Sequence, residues 1–205
     1  PEVHDRLQSD ARFLDMGSGR GQVVLAASAA RPWAGCTGVE LMPELHFVAA
    51  AALDQAREGT ASFQPQTDPA RLRFELGDMY ALEELVVPDT PHLVFAYATC
   101  FATNERGELQ QLTRALVDAA LPTGSIVVTV NRPLAAETAA ATLTEEAVPA
   151  LGENNGSNHD LAGAAEERGS SGFRLLRMLQ GPNPEDSHPT AKSIAYVWEW
   201  ERSCD

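Results

Sequence analysis

Residues 13–22 read Phe13-Leu14-Asp15-Met16-Gly17-Ser18-Gly19-Arg20-Gly21-Gln22: a short apolar run holding one acid, three glycines at alternate positions, then a segment rich in alanine and valine. The apolar run suits a buried strand, and the segment behind the glycines predicts a helix over Gln22 to Ala30. Glycine supplies the positive φ that a tight strand-to-helix turn needs and lets a ligand approach the backbone. The helix start offers unpaired N–H groups and the positive end of its dipole. The loop therefore reads as a binding turn of the nucleotide class, with a tight turn that holds no ligand as the plainer alternative.

Outward from this loop, apolar runs alternate with helical patterns through the first half of the chain, the signature of βαβ units and a parallel sheet. Strand one is expected at Ala11 to Met16 and strand two at Cys36 to Glu40. Pro43 suits the first turn of a second helix, running through Leu45, Val48, Ala52 and Gln55 and stopping near Gly59. Leu72 to Leu76 makes strand three, and His92 to Tyr97 strand four, whose unbroken apolar run suits cover on both faces. Leu109, Leu112, Leu116 and Ala120 recur at three and four residues, which predicts an amphipathic helix over Glu105 to Leu121. Ser125 to Val130 is strand five. From 135 to 172 an alanine and glutamate stretch of helical character passes into a glycine, asparagine and serine segment expected to be a flexible surface loop. Phe173 to Leu179 and Ser193 to Arg202 read as a terminal antiparallel hairpin. The expected architecture is one α/β domain over residues 1–205, its sheet mostly parallel.

Composition narrows the function classes. Apolar residues make up 44% of the 205, ordinary for a globular chain, and no run approaches the roughly 18–20 apolar residues that cross a bilayer. A soluble chain with no membrane partner is expected. Cys36, Cys100 and Cys204 have no CxxC spacing, so neither a disulfide framework nor a zinc site is suggested, and an intracellular location, cytoplasmic or nuclear, is the default. His46, His159 and His188 show no ligand spacing, and no metal is assigned. The chain opens at Pro1 without a targeting segment, which reads as a trimmed fragment. A net charge of −14 repels nucleic-acid phosphates and attracts a basic protein or cationic substrate, or simply keeps the chain soluble. No Lys/Arg cluster of the DNA-gripping kind is present, and the oligomeric state is left open.

Spacing decides between cofactors. The dinucleotide fingerprint sets its third glycine one position beyond Gly21, where this chain has Gln22. Asp15 would repel a pyrophosphate, yet it can face the ammonium of a methionine moiety. Both features favour S-adenosyl-L-methionine over NAD, with Gly17, Ser18, Gly19, Gly21 and Gln22 as its cradle. Glu40, closing strand two in Gly38-Val39-Glu40-Leu41, lies at the carboxyl edge where open α/β sheets bind ligands. There it can accept both ribose hydroxyls, with Leu41 in the same pocket; otherwise it is a solvated strand-end acid. Asp78, in Gly77-Asp78-Met79-Tyr80, is placed to receive the adenine amino group, with Met79 packing on the ring or offering its backbone N–H, or else the pair is a plain turn.

With these residues in place, the loop continuing as Gly21-Gln22-Val23-Val24-Leu25 and then Gly38-Val39-Glu40 resembles the Dot (disruptor of telomeric silencing) histone lysine methyltransferases. The likeness runs from Phe13 to Leu134. Gly77-Asp78 follows strand three, Val94 to Phe101 stands at that family's strand-four catalytic stretch, and Gly124-Ser125-Ile126-Val127-Val128 precedes Arg132-Pro133-Leu134. The resemblance implies a Rossmann-like, seven-stranded class I methyltransferase sheet, S-adenosyl-L-methionine as donor, S-adenosyl-L-homocysteine as product, and a protein lysine, such as one on a histone, as acceptor. Where those enzymes carry an asparagine near the donor, this chain has Tyr97. The sequence also starts close to strand one, where that family has a donor-covering loop, and it shows no basic nucleosome-binding arm. A non-histone protein acceptor fits equally well.

Methyl transfer from a sulfonium is an in-line displacement that needs a neutral nucleophile about 3 Å from the methyl carbon. A lysine, with a reference pKa near about 10.4, must first lose its proton, which a dry aromatic channel favours. Tyr97 and Phe101 are the candidates for lining that channel, Phe101 being equally suited to ordinary core. Thr99 either hydrogen-bonds the acceptor or caps the next turn. Cys100 reads as a buried thiol, because no histidine is placed to activate it, and Trp198 and Trp200 share one face of the last strand and suit sheet packing. The Asn/Asp-Pro-Pro-aromatic motif of many amino-group methyltransferases is missing after strand four. A basic protein acceptor leads; a small-molecule acceptor, or a binding module without turnover, are the other readings, which fold alone does not separate.

Overall fold

Strands whose apolar runs lack polar alternation need cover on both faces. The computed structural model, which describes residues 7–61, 64–82, 91–119, 121–135, 171–183 and 191–202, provides it. Five parallel strands, β1 (Arg12–Met16), β2 (Gly35–Glu40), β3 (Leu72–Leu76), β4 (Leu93–Tyr97) and β5 (Ile126–Val130), continue into the antiparallel hairpin of β6 (Gly172–Pro182) and β7 (Lys192–Glu201). The sheet order is β3-β2-β1-β4-β5-β7-β6. This is the Rossmann-like, mostly parallel seven-stranded sheet with a C-terminal antiparallel hairpin. Its order reverses between β1 and β4, and the carboxyl ends of the strands at such a switch point are where open α/β sheets bind their ligands.

Alternate residues feed two cores. Phe13, Cys36 and Leu72 pack with Val24 of helix α1 (Gln22–Ala30) and Leu53 of α2 (Pro43–Arg57). Leu14, Met16, Val39, Val94 and Val127 face the other way, against Leu112 and Leu116 of α3 (Gln110–Asp118) and Trp200, with Trp198 packed on the same cluster. The leucine spacing that marked α3 is thus its buried stripe. The second helix ends at Arg57, just ahead of Gly59.

Differences from expectation have local causes. The helix foreseen from Glu105 begins only at Gln110, because the Asn104 carboxamide oxygen accepts from the N–H groups of Arg106 and Glu108, holding 104–108 as a turn in which Gly107 has φ 76°. Side-chain capture of this kind competes with helical bonding. Strand β6 runs past Leu179 to Pro182, with an irregularity in register between Leu175 and Arg177. The helical and loop expectations for 136–170 lie outside the described residues.

Glycine is a steric requirement at one position of the loop above all. Gly21 has φ 79°, and a Cβ there would lie 2.4 Å from the Phe74 ring and 2.9 Å from Ala49, whereas at Gly19 (φ 53°) a Cβ would meet open space. Gly21→Ala is expected to lower the unfolding free energy by about 2–4 kcal/mol, a left-handed penalty plus overpacking, and Gly19→Ala by about 1–2 kcal/mol, the penalty alone. Urea denaturation of the two variants checks this; equal losses would refute the steric account.

Candidate functional site

The turn from β1 into α1 is fastened to β2. Gly17 and Ser18 N–H groups both donate to the Val39 carbonyl at 2.9 Å, and Gly21 N–H closes the turn onto Ser18 O at 2.8 Å. Glu40 completes the fastening: one carboxylate oxygen accepts from Gly19 N–H at 2.7 Å and the other from Met42 N–H at 2.9 Å, and the residue is buried at 7% exposure. It is therefore no solvated strand-end acid. Each carboxylate oxygen has two lone pairs, so acceptor capacity remains for a ligand hydroxyl. Gly77 N–H donates to Glu40 O at 3.0 Å, which brings the end of β3 to the same place.

Asp15 lies deeper, 2% exposed, in register with Gly38 on one side and Phe95 on the other. Burial, and secondarily the charge of Glu40, push its carboxyl up to about 7. The Ser18 hydroxyl is also buried and has no hydrogen-bond partner among the described residues. Orphaned polar atoms of this kind call for an explanation, and a ligand is one. A carboxylate that strains to ionise, a hydroxyl without a partner and Glu40 with lone pairs to spare fit an amino acid joined to a nucleoside. Gln22 is exposed at the helix start, and Leu41 is an apolar side chain left 66% exposed beside Glu40. Asp78 is exposed, with one oxygen accepting from Tyr80 N–H at 2.9 Å in a local turn. Met79 and Phe101 close over the loop: a Cβ on Gly17 would stand 3.8 Å from the Met79 sulfur and 2.8 Å from the Phe101 ring.

The far side of the crevice is polar. Tyr97, partly buried at the end of β4, donates its hydroxyl to Asn183 Oδ1 at a long 3.5 Å. Thr99 is exposed within the 3-10 turn Ala98–Cys100 and accepts from Asn131 Nδ2 at 3.5 Å. The foreseen trio thus divides: Phe101 turns to the glycine loop, while Tyr97 and Thr99 meet carboxamides from β5 and β6. Cys100, expected as a buried thiol, is exposed, because the 3-10 turn carries it beyond the strand end. Asn131 and Asn183 were missed by sequence reasoning. Asn131 directly follows a strand at the ligand edge, a signal that was available; Asn183 comes from a hairpin whose place in the sheet depends on long-range pairing. Among the described residues no three His, Cys, Asp or Glu side chains converge as a metal-binding group, and no helix is long and apolar enough to cross a membrane.

This geometry has relatives. The family model described as Histone methylation protein DOT1 matches residues 3–113, more than half of the chain and all of the region from β1 through β4. No curated protein matches the chain. A solved S-adenosylmethionine-dependent methyltransferase from Methanosarcina mazei is similar over 100% of this chain and 98% of its own, at 14% identity and a TM-score of 0.58. An RNA methyltransferase from Salinibacter ruber, in complex with S-adenosyl-L-homocysteine, is similar over 100% and 89%, at 18% identity and a TM-score of 0.52. For YjhP from E. coli the shares are 62% and 45%, at 19% identity and a TM-score of 0.44, so the chain spans less than half of that structure's length. At these identities the structural likeness speaks to the fold.

Buried Asp15 makes a prediction about pH. Its folded pKa, about 7, lies above the ordinary 3.8, so the folded chain holds a proton that the unfolded chain releases. The resulting stability is complete below about pH 4 and is lost as pH rises through 7. Asp15→Asn is expected to be more stable than the unmodified chain by about 1–3 kcal/mol at pH 8 and by clearly less at pH 5, in guanidinium denaturation. A constant difference across that range would show that Asp15 is ionised in the fold throughout.

Proposed function

The chain belongs to the Histone methylation protein DOT1 family, and from that premise we propose that it moves the methyl group of S-adenosyl-L-methionine onto a lysine side chain of a basic protein. Membership of a histone methylation family supports methyl transfer from S-adenosylmethionine; the lysine acceptor is our reading of the site. The observation that carries the donor site is Glu40, buried at the end of β2 and bonded to the N–H of Gly19 inside the glycine loop.

In this reading Glu40 holds the ribose hydroxyls, Asp15 and Ser18 take the amino-acid end, and Leu41, Asp78 and Met79 meet the adenine, with Gly17, Gly19, Gly21 and Gln22 forming the turn. When bound, S-adenosylmethionine supplies an electrophilic methyl carbon: the acceptor lone pair bonds to it while the carbon–sulfur pair returns to sulfur, leaving S-adenosyl-L-homocysteine. The chain's own part is positioning and exclusion of water. Phe101 and Met79 lay apolar atoms over Gly17, which disfavours a charged ammonium beside the loop and so favours the neutral amine. Tyr97 and Thr99 offer hydroxyl oxygens at the strand end for N–H groups of the entering amine. The net charge of −14 draws a basic protein and repels phosphate.

Two outcomes are expected. Glu40→Gln, which replaces one N–H-accepting oxygen by a donor, weakens donor binding by about 1.5–3 kcal/mol in calorimetry, the range for hydrogen bonds to a charged group. Unchanged affinity would remove Glu40 from the donor site. With labelled donor and a cell lysate, label should appear on basic proteins, fall as salt shortens the Debye length past about 8 Å, and drop far more than donor affinity in Tyr97→Ala. Label on small molecules alone would replace the lysine reading with a small-molecule one.

A further inference from the structure

Asn131, the residue after β5, has φ 69° and is the one left-handed non-glycine residue among those described. Asparagine tolerates this region better than most residues, yet strain remains, and such outliers concentrate at functional sites. Three hydrogen bonds hold it. Its own N–H donates to Ile194 O at 2.7 Å, the N–H of Ile194 donates to its Oδ1 at 3.4 Å, and its Nδ2 donates to Thr99 Oγ1 at 3.5 Å. The bond from Ile194 settles which end of the carboxamide is oxygen, so an N–H and not a lone pair meets Thr99. Tyr97 pairs with Val130 across the sheet, which places Asn131 one step further along, level with the turn that carries Thr99.

We propose that Asn131 is a positioning residue for methyl transfer: anchored on β7, it holds the exposed Thr99 hydroxyl in one orientation at the mouth where the acceptor amine enters. This rests on the methyl-transfer reading above. A threonine hydroxyl carries one proton and two lone pairs and turns among staggered rotamers. With one lone pair engaged by the carboxamide, the directions left to the other lone pair and to the proton are restricted, so an amine N–H that binds there is held in one attitude. Glycine would adopt the same backbone without strain, and aspartate would satisfy Ile194 equally well. Neither can donate to Thr99. The requirement for a donor accounts for an asparagine at a position that strains it.

The test uses Asn131→Gly, Asn131→Asp, Thr99→Val and the double variant Asn131→Asp with Thr99→Val in the whole chain, with calorimetry for S-adenosylmethionine, labelled methyl transfer to core histones and lysate proteins, and thermal melting. Donor affinity should stay within about twofold in all of them, because Asn131 lies off the donor loop. Asn131→Asp should lower kcat by about 10- to 100-fold, the scale of small misplacements near a reacting group. Asn131→Gly should lose turnover similarly while melting no lower than the unmodified chain, a split that a purely structural role does not produce. Added to Thr99→Val, Asn131→Asp should cost less than about threefold more, since residues acting through one another are not additive. Full turnover in Asn131→Asp, an additive loss in the pair, or a glycine variant whose inactivity follows its unfolding would each overturn the proposal. A chain that binds donor but labels no protein and no small molecule would instead overturn the methyl-transfer reading itself.

Discussion

The carboxylate of Glu40 is the fastening on which the rest of the site depends. It belongs to β2, yet it accepts from the N–H of Gly19 in the turn after β1 and from the N–H of Met42 ahead of α2. Its own carbonyl accepts from Gly77 N–H at the end of β3. One residue thereby locks three strand ends into fixed relative positions. A charged acceptor makes each of those bonds stronger than a neutral one. The loop's shape is therefore held by the chain's own hydrogen bonds.

The same arrangement concentrates negative charge where the fold least favours it. Asp15 on β1 and Glu40 at the end of the neighbouring β2 are both buried, and Asp15 feels Glu40 directly. A cation lodged beside Asp15 would relieve this, because it favours the charged carboxylate that burial disfavours. A binding turn built only for phosphate would have no use for such a pair.

Most of the sheet was legible because its signals are local and redundant. Each parallel strand is a short apolar run, each helix a periodic one, and the glycine turn between Met16 and Gln22 joins the first strand to the first helix without ambiguity. The acids proposed for the donor side, Asp15, Glu40 and Asp78, stand at or just past strand ends, places that the βαβ order dictates. What escaped was set by side chains meeting across distance. Asn104 delayed the start of α3 by capturing two N–H groups, and no periodicity reveals that. Phe101, read from the sequence as a channel residue with Tyr97, comes after a 3-10 turn and lies over Gly17, a placement that spacing alone does not give. The carboxamide of Asn183 is brought to Tyr97 through the pairing of β5, β7 and β6, which sequence spacing does not encode, whereas Asn131 directly follows β5.

Phe74 carries a different kind of consequence. Its ring fills the space that side chains would take at two glycines on separate elements, Gly21 at the start of α1 and Gly38 within β2, with prospective Cβ contacts of 2.4 Å and 2.7 Å. The three positions form one unit of inheritance. Neither glycine can drift to alanine while the ring is present, and the ring can shrink only by leaving a void between strand and loop. Shrinking the ring alone frees neither glycine, because a Cβ at Gly21 would still lie 2.9 Å from Ala49 and one at Gly38 2.8 Å from Ser18, so positions far apart in the chain hold one another fixed.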